Sequence, residues 1–119
     1  MKLPTLLTSL LLSSAMALAG EADVVGATVR CDAQRHCRFD VTVHHADAGW
    51  THYADRWEIL APDGTLLGSR TLLHPHDTEQ PFTRSLEDVL VPAAIRTVRI
   101  RAHDSVHGDG GAEFELAIP

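Results

Sequence analysis

The chain has one lysine, Lys2, and two methionines, Met1 and Met16, all within its first 19 residues. Beyond residue 19 there is no thioether, so the soft ligands expected of a Cu(I) carrier are missing. Beyond Lys2, nine Arg stand against 16 Asp plus Glu, a formal charge of −7. That balance argues against nucleic acid or an anionic membrane surface as partner, since both need concentrated positive charge. No serine sits in a Gly-x-Ser-x-Gly elbow, and Gly108-Asp109-Gly110-Gly111 is followed by no helix that would make it a phosphate cradle. No segment after residue 19 has helical periodicity. No apolar run reaches the ~20 residues that span a bilayer.

The leading residues are Met-Lys, an apolar stretch from Leu3 to Leu12, and small residues ending in Ala17-Leu18-Ala19. One positive charge, a short apolar region and an Ala-x-Ala site predict a secretory signal peptide over residues 1–19. No cysteine stands where a lipid-modified one would be needed, which disfavours a lipoprotein. Residues 20–119 then form one exported domain, periplasmic or secreted, with no membrane span after cleavage and room for a single core. In an oxidising compartment Cys31 and Cys37 are expected to form a local disulfide. Thiolate metal ligation fits less well, because five intervening residues exceed the usual zinc-knuckle spacing.

Alternating runs mark the strands. Phe39-Asp40-Val41-Thr42-Val43 has one apolar face, as do Arg56-Trp57-Glu58-Ile59 and Val98-Arg99-Ile100-Arg101-Ala102. Val24 to Arg30, Leu66 to Leu73 and Glu113 to Ile118 complete the set, with Pro62-Asp63-Gly64-Thr65 as a turn. Arg99 and Arg101 complement Glu113 and Glu115, so the last two runs are expected to be paired neighbours. The pattern predicts an all-β, immunoglobulin- or fibronectin-III-like antiparallel sandwich of about seven strands. The Cys–Trp–Cys arrangement of antibody domains is absent.

Eight histidines are the chemical signal. Strand parity puts His45 at the core edge, in phase with Val41 and Val43, and His44 on the surface; adjacent strand residues do not share one metal. His52 falls in the aromatic loop Trp50-Thr51-His52-Tyr53, suited to packing or to contacts with a partner. His74-Pro75-His76 projects two imidazoles to one side of a segment held extended by proline, with Asp77 and Glu79 adjacent. His103-Asp104-Ser105-Val106-His107 ends a strand, and Asp104 there suits an Asx turn. If both segments emerge at one end of the sandwich, their side chains form a site suited to Zn or Cu(II).

Between His52 and Gly111 the chain resembles a group of small exported bacterial domains of uncharacterised function. The resemblance is carried by Tyr53 to Glu58, Pro62 to Thr65, the HPHxxEQPFTRSL segment from His74 to Leu86, and DSVHG from Asp104 to Gly108. It implies an exported, self-contained domain.

The expected function is therefore non-catalytic binding of a divalent transition metal by His74, His76, His103 and His107, with Asp77 and Asp104 as supplementary ligands. A metal-free interaction module of the cell envelope, contacting another protein through Trp50, His52, Tyr53, Phe82 and Arg84, is the alternative. A metal-dependent enzyme ranks third.

Overall fold

A computed structural model describes residues 20–119; the expected signal peptide, residues 1–19, lies outside the described residues. The described residues form β1 (Asp23–Cys31), β2 (His36–His44), β3 (Ala54–Leu60), β4 (Leu66–Thr71), β5 (Phe82–Leu90), β6 (Thr97–Asp104), β7 (Gly108–Asp109) and β8 (Phe114–Ala117). One sheet has the order β1-β2-β5; the other is built on β4-β3-β6, with β7 and β8 both pairing β6. Every pairing is antiparallel. The expected all-β sandwich is the fold. No helix among the described residues is long and apolar enough to cross a membrane.

The core is written in the alternation. On β2, Cys37, Phe39, Val41 and Val43 are buried; on the facing sheet Val98, Ile100 and Ala102 of β6 and Trp57 and Ile59 of β3 meet them. Outward positions carry the complementary charges. Arg99 faces Glu115 in the β6–β8 register and reaches Glu113 at 2.7 Å, while Arg101 bonds Glu58 of β3 at 2.8 Å. The paired neighbours expected from the charge pattern are thus hydrogen-bonded strands.

β1 and β2 form a hairpin whose turn is organised by Asp32, which accepts from the N–H groups of Gln34 and His36 at 2.9 Å each. The disulfide Cys31–Cys37 joins two residues directly opposite in its register. Phe82 opens β5, the edge strand of its sheet, which pairs with β2 from Val43↔Phe82 to His36↔Leu90. That register turns Phe82 inward.

Candidate metal centre

His45 follows β2 and keeps the inward phase of Phe39, Val41 and Val43; Asp104 ends β6 and keeps the inward phase of Val98, Ile100 and Ala102. Two strands from opposite sheets therefore each bring one polar residue to the same end of the apolar core. Both are essentially buried, at 1% and 0% exposure. Nε2 of His45 lies 3.5 Å from Oδ2 of Asp104. His52, in the loop before β3, adds its Nε2 at 3.3 Å from Oδ1 of Asp104 and 3.3 Å from Nε2 of His45. Among the described residues, these three form the group whose ligand atoms all lie within 4.8 Å of one another.

A carboxylate behind the site orients it. Asp47, whose side chain is fully buried, accepts from Nδ1 of His45 at 2.5 Å, from the N–H of Ala54 at 3.0 Å and from the N–H of His76 at 2.6 Å. It ties the β2 exit, the start of β3 and the HPH loop together. A neutral His45 whose Nδ1–H donates a hydrogen bond to Asp47 keeps a lone pair on Nε2, on the side of Asp104 and His52. Asp104 is itself held by the turn expected from its sequence: its Oδ1 accepts from the N–H groups of Val106 at 2.8 Å and His107 at 2.5 Å. Burial pushes the Asp104 carboxyl up, and hydrogen bonds from the N–H groups of His107 and Val106 and from the His107 ring oppose it. The net result is a carboxyl below its ordinary range.

The expected ligands are distributed around this centre. Asp104 is within it, and His107 borders it, with Nδ1 3.3 Å from Oδ2 of Asp104. His103 takes the outward phase of β6 and pairs with Asp55 at 2.6 Å. Asp77 accepts from the N–H of Gly49 at 3.2 Å. His74 is exposed, with its ring 4.7 Å from that of His76. His76 is buried, stacked on Phe82 with centroids 3.9 Å apart, and neither ring nitrogen has a hydrogen-bond partner. Burial, joined by the positive charges of Arg84 and His74, holds its pKa below the usual imidazole value. The HPH and HDSVH segments do share one end of the sandwich, linked through Asp47 and His45.

Of the expected contact patch, Trp50 is 66% exposed and braced edge-on by Tyr53. Phe82 is unavailable to any partner, because the β2–β5 register buries it under His76 and Arg84. His52 belongs to the polar centre. The sequence signal for this centre was the spacing His45-x-Asp47 with His52 seven residues after His45, which brackets one loop.

No protein-family model matches the chain. A protein of Halomicrobium mukohataei named "Putative lipoprotein" is 45% identical over 91 residues, covering 76% of this chain and 44% of that protein. The chain thus spans less than half the length of the relative it matches. Among solved structures, the superoxide reductase (1Fe-SOR) from Giardia intestinalis is similar, at a TM-score of 0.48 and 12% identity. The likeness covers 81% of this chain and 99% of that one. That protein is an enzyme, so the expectation of a non-catalytic role for this chain is withdrawn. A likeness of this degree assigns no reaction to this chain.

Proposed function

We propose that this chain is an exported β-sandwich domain that holds a divalent transition metal, Zn(II) or Cu(II), between His45, His52 and Asp104. The observation that carries the reading is the convergence of acceptors at the end of the core. Nε2 of His45, Nε2 of His52 and the Asp104 carboxylate stand 3.3–3.5 Å apart, with His45 and Asp104 buried and His52 partly so, and Asp47 occupies the other nitrogen of His45. Lone pairs this close repel unless a cation or a proton lies between them. Two imidazoles and a carboxylate are a ligand set that Zn(II) and Cu(II) accept, and a carboxylate behind the metal-bound histidine is the usual supporting partner. Export is supported by the leader-like first 19 residues, the disulfide and the name of the Halomicrobium relative.

Co(II) substitution tests the reading. Co(II) added to metal-stripped protein should give the intense visible absorption of a low-coordinate N/O site, lost in His52→Ala and displaced by one equivalent of Zn(II). Spectra identical to free Co(II) in the wild type would end the proposal.

A further inference from the structure

The metal reading leaves one donor unexplained, because no side chain supplies it. The carbonyl oxygen of Gly20 lies 3.1 Å from Nε2 of His45 and 3.1 Å from Nε2 of His52. Ligand atoms at the corners of a tetrahedron with metal bonds of 2.0–2.1 Å are separated by about 3.3 Å. Nε2 of His45, Nε2 of His52 and the Gly20 carbonyl oxygen have mutual spacings of that size, 3.1 to 3.3 Å, and the two imidazoles reach different oxygens of Asp104, Oδ2 at 3.5 Å and Oδ1 at 3.3 Å.

The segment that carries Gly20 is seated by glycines. A Cβ on Gly111 would stand 1.9 Å from the carbonyl oxygen of Ala22, and one on Gly110 would stand 2.1 Å from the Glu21 carboxylate. The N–H of Ala112 donates to Asp23 at 2.7 Å, and that of Val24 to the carbonyl of Ala112 at 2.8 Å. Gly20 itself has φ of +92°, and a Cβ there would press on Cε1 of His107 at 3.1 Å. The glycine loop thus does more than join β7 to β8: it seats residues 21–23, next to the Gly20 carbonyl that reaches His45 and His52.

Gly20 is also the residue that follows the Ala17-Leu18-Ala19 processing site. Hydrolysis of the Ala19–Gly20 amide by the export machinery adds water across that bond. The hydroxyl goes to the Ala19 carbonyl, and the Gly20 nitrogen becomes a primary amine. An amide nitrogen has no lone pair free for a metal; an amine has one. That amine and the Gly20 carbonyl oxygen close a five-membered ring on a shared ion. We propose that removal of the leader completes the metal centre, with the α-amine and carbonyl oxygen of Gly20 chelating the ion beside His45, His52 and Asp104. The proposal rests on the metal reading above. It makes the processed, exported chain the metal-binding form and the precursor a weak one.

The composition provides a clean test. Lys2 is the chain's one lysine, so after cleavage the Gly20 α-amine is the sole primary amine. The chain is expressed with its leader, recovered after export, and its N-terminus confirmed by mass. Half is acetylated with an N-hydroxysuccinimide ester. Cu(II) titration of both should show affinity at least about tenfold weaker after acetylation, since even partners behind the ligands contribute 10–100-fold. The Cu(II) electron paramagnetic resonance spectrum should lose one nitrogen coupling. A chain carrying Ala19 ahead of Gly20 moves the free amine out by one residue and should bind like the acetylated form. Unchanged unfolding of metal-free protein in all three forms excludes damage to the fold. Equal Cu(II) affinity and spectra in the three forms would overturn the proposal while leaving the His45–His52–Asp104 site standing. No Cu(II) binding by any form would remove both.

Discussion

Nδ1 of His45 lies 2.5 Å from Oδ1 of Asp47, and this single contact decides which nitrogen of His45 faces Asp104 and His52. The lone pair offered to a metal is therefore set by a residue that never reaches it. Asp47→Asn removes the charge that fixes the tautomer, and metal affinity should fall about 10–100-fold. The same carboxylate also accepts from the N–H groups of Ala54 and His76, so metal-free stability should fall by about 1–3 kcal/mol. Titration calorimetry and thermal unfolding read the two effects separately.

Asp104 has two duties that conservative and drastic substitutions divide. Asp104→Asn keeps an oxygen to accept from Val106 and His107 but loses the charge; metal affinity should collapse with a modest change in unfolding temperature. Asp104→Ala should lose the metal and about 1–3 kcal/mol of stability as well, because two buried N–H groups lose their acceptor. Equal metal binding by wild type and the Asn variant would contradict the site.

His76 gives a pH signature distinct from metal binding. Burial keeps its folded pKa below that of the unfolded chain, so the unfolded state takes up the proton first. Its contribution to stability is present at neutral pH and lost as pH falls below about 6.5. His76→Phe retains the stacking on Phe82 and removes two unpartnered nitrogens. The variant should be at least as stable as wild type at pH 7, and its advantage should widen between pH 6.5 and 5, by chemical denaturation of metal-free protein. Zn(II) affinity should change less than about threefold, as for a residue outside the coordinating set, against 10–100-fold for an outer partner that supports a ligand.

The disulfide and the candidate metal centre sit at opposite ends of β2, the one at Cys37 and the other just past His44. Reduction of Cys31–Cys37 should lower stability by about 2 kcal/mol, the chain-entropy value for so short a loop. Zn(II) affinity of the reduced, folded protein should be unchanged.

Strand parity was enough for the sandwich. Phe39, Val41 and Val43 point inward as their alternation requires, and Arg99 and Arg101 meet their acidic partners. The same parity placed His45 at the core edge. Extended along β6, it also turns Asp104 inward with Ala102 and Ile100 and turns His103 outward with Arg101. What sequence alone did not reveal is that the inward rows of β2 and β6, 59 residues apart at His45 and Asp104, finish at the same height. That depends on sheet packing, as does the approach of Gly20, whose position is set by the Gly110-Gly111 backbone contact. β5 was hard to see because polar residues lie on both faces between Thr83 and Asp88.

The most direct measurement is calorimetric titration of the metal-stripped, processed chain with Zn(II), in wild type, His45→Ala/His52→Ala and His74→Ala/His76→Ala. A metal site at His45, His52 and Asp104 should bind one equivalent at sub-micromolar Kd, about −8 kcal/mol or better, lost in the first double variant and retained in the second. Wild-type binding no tighter than about 0.1 mM, or loss in the His74/His76 variant with retention in the His45/His52 variant, would contradict it.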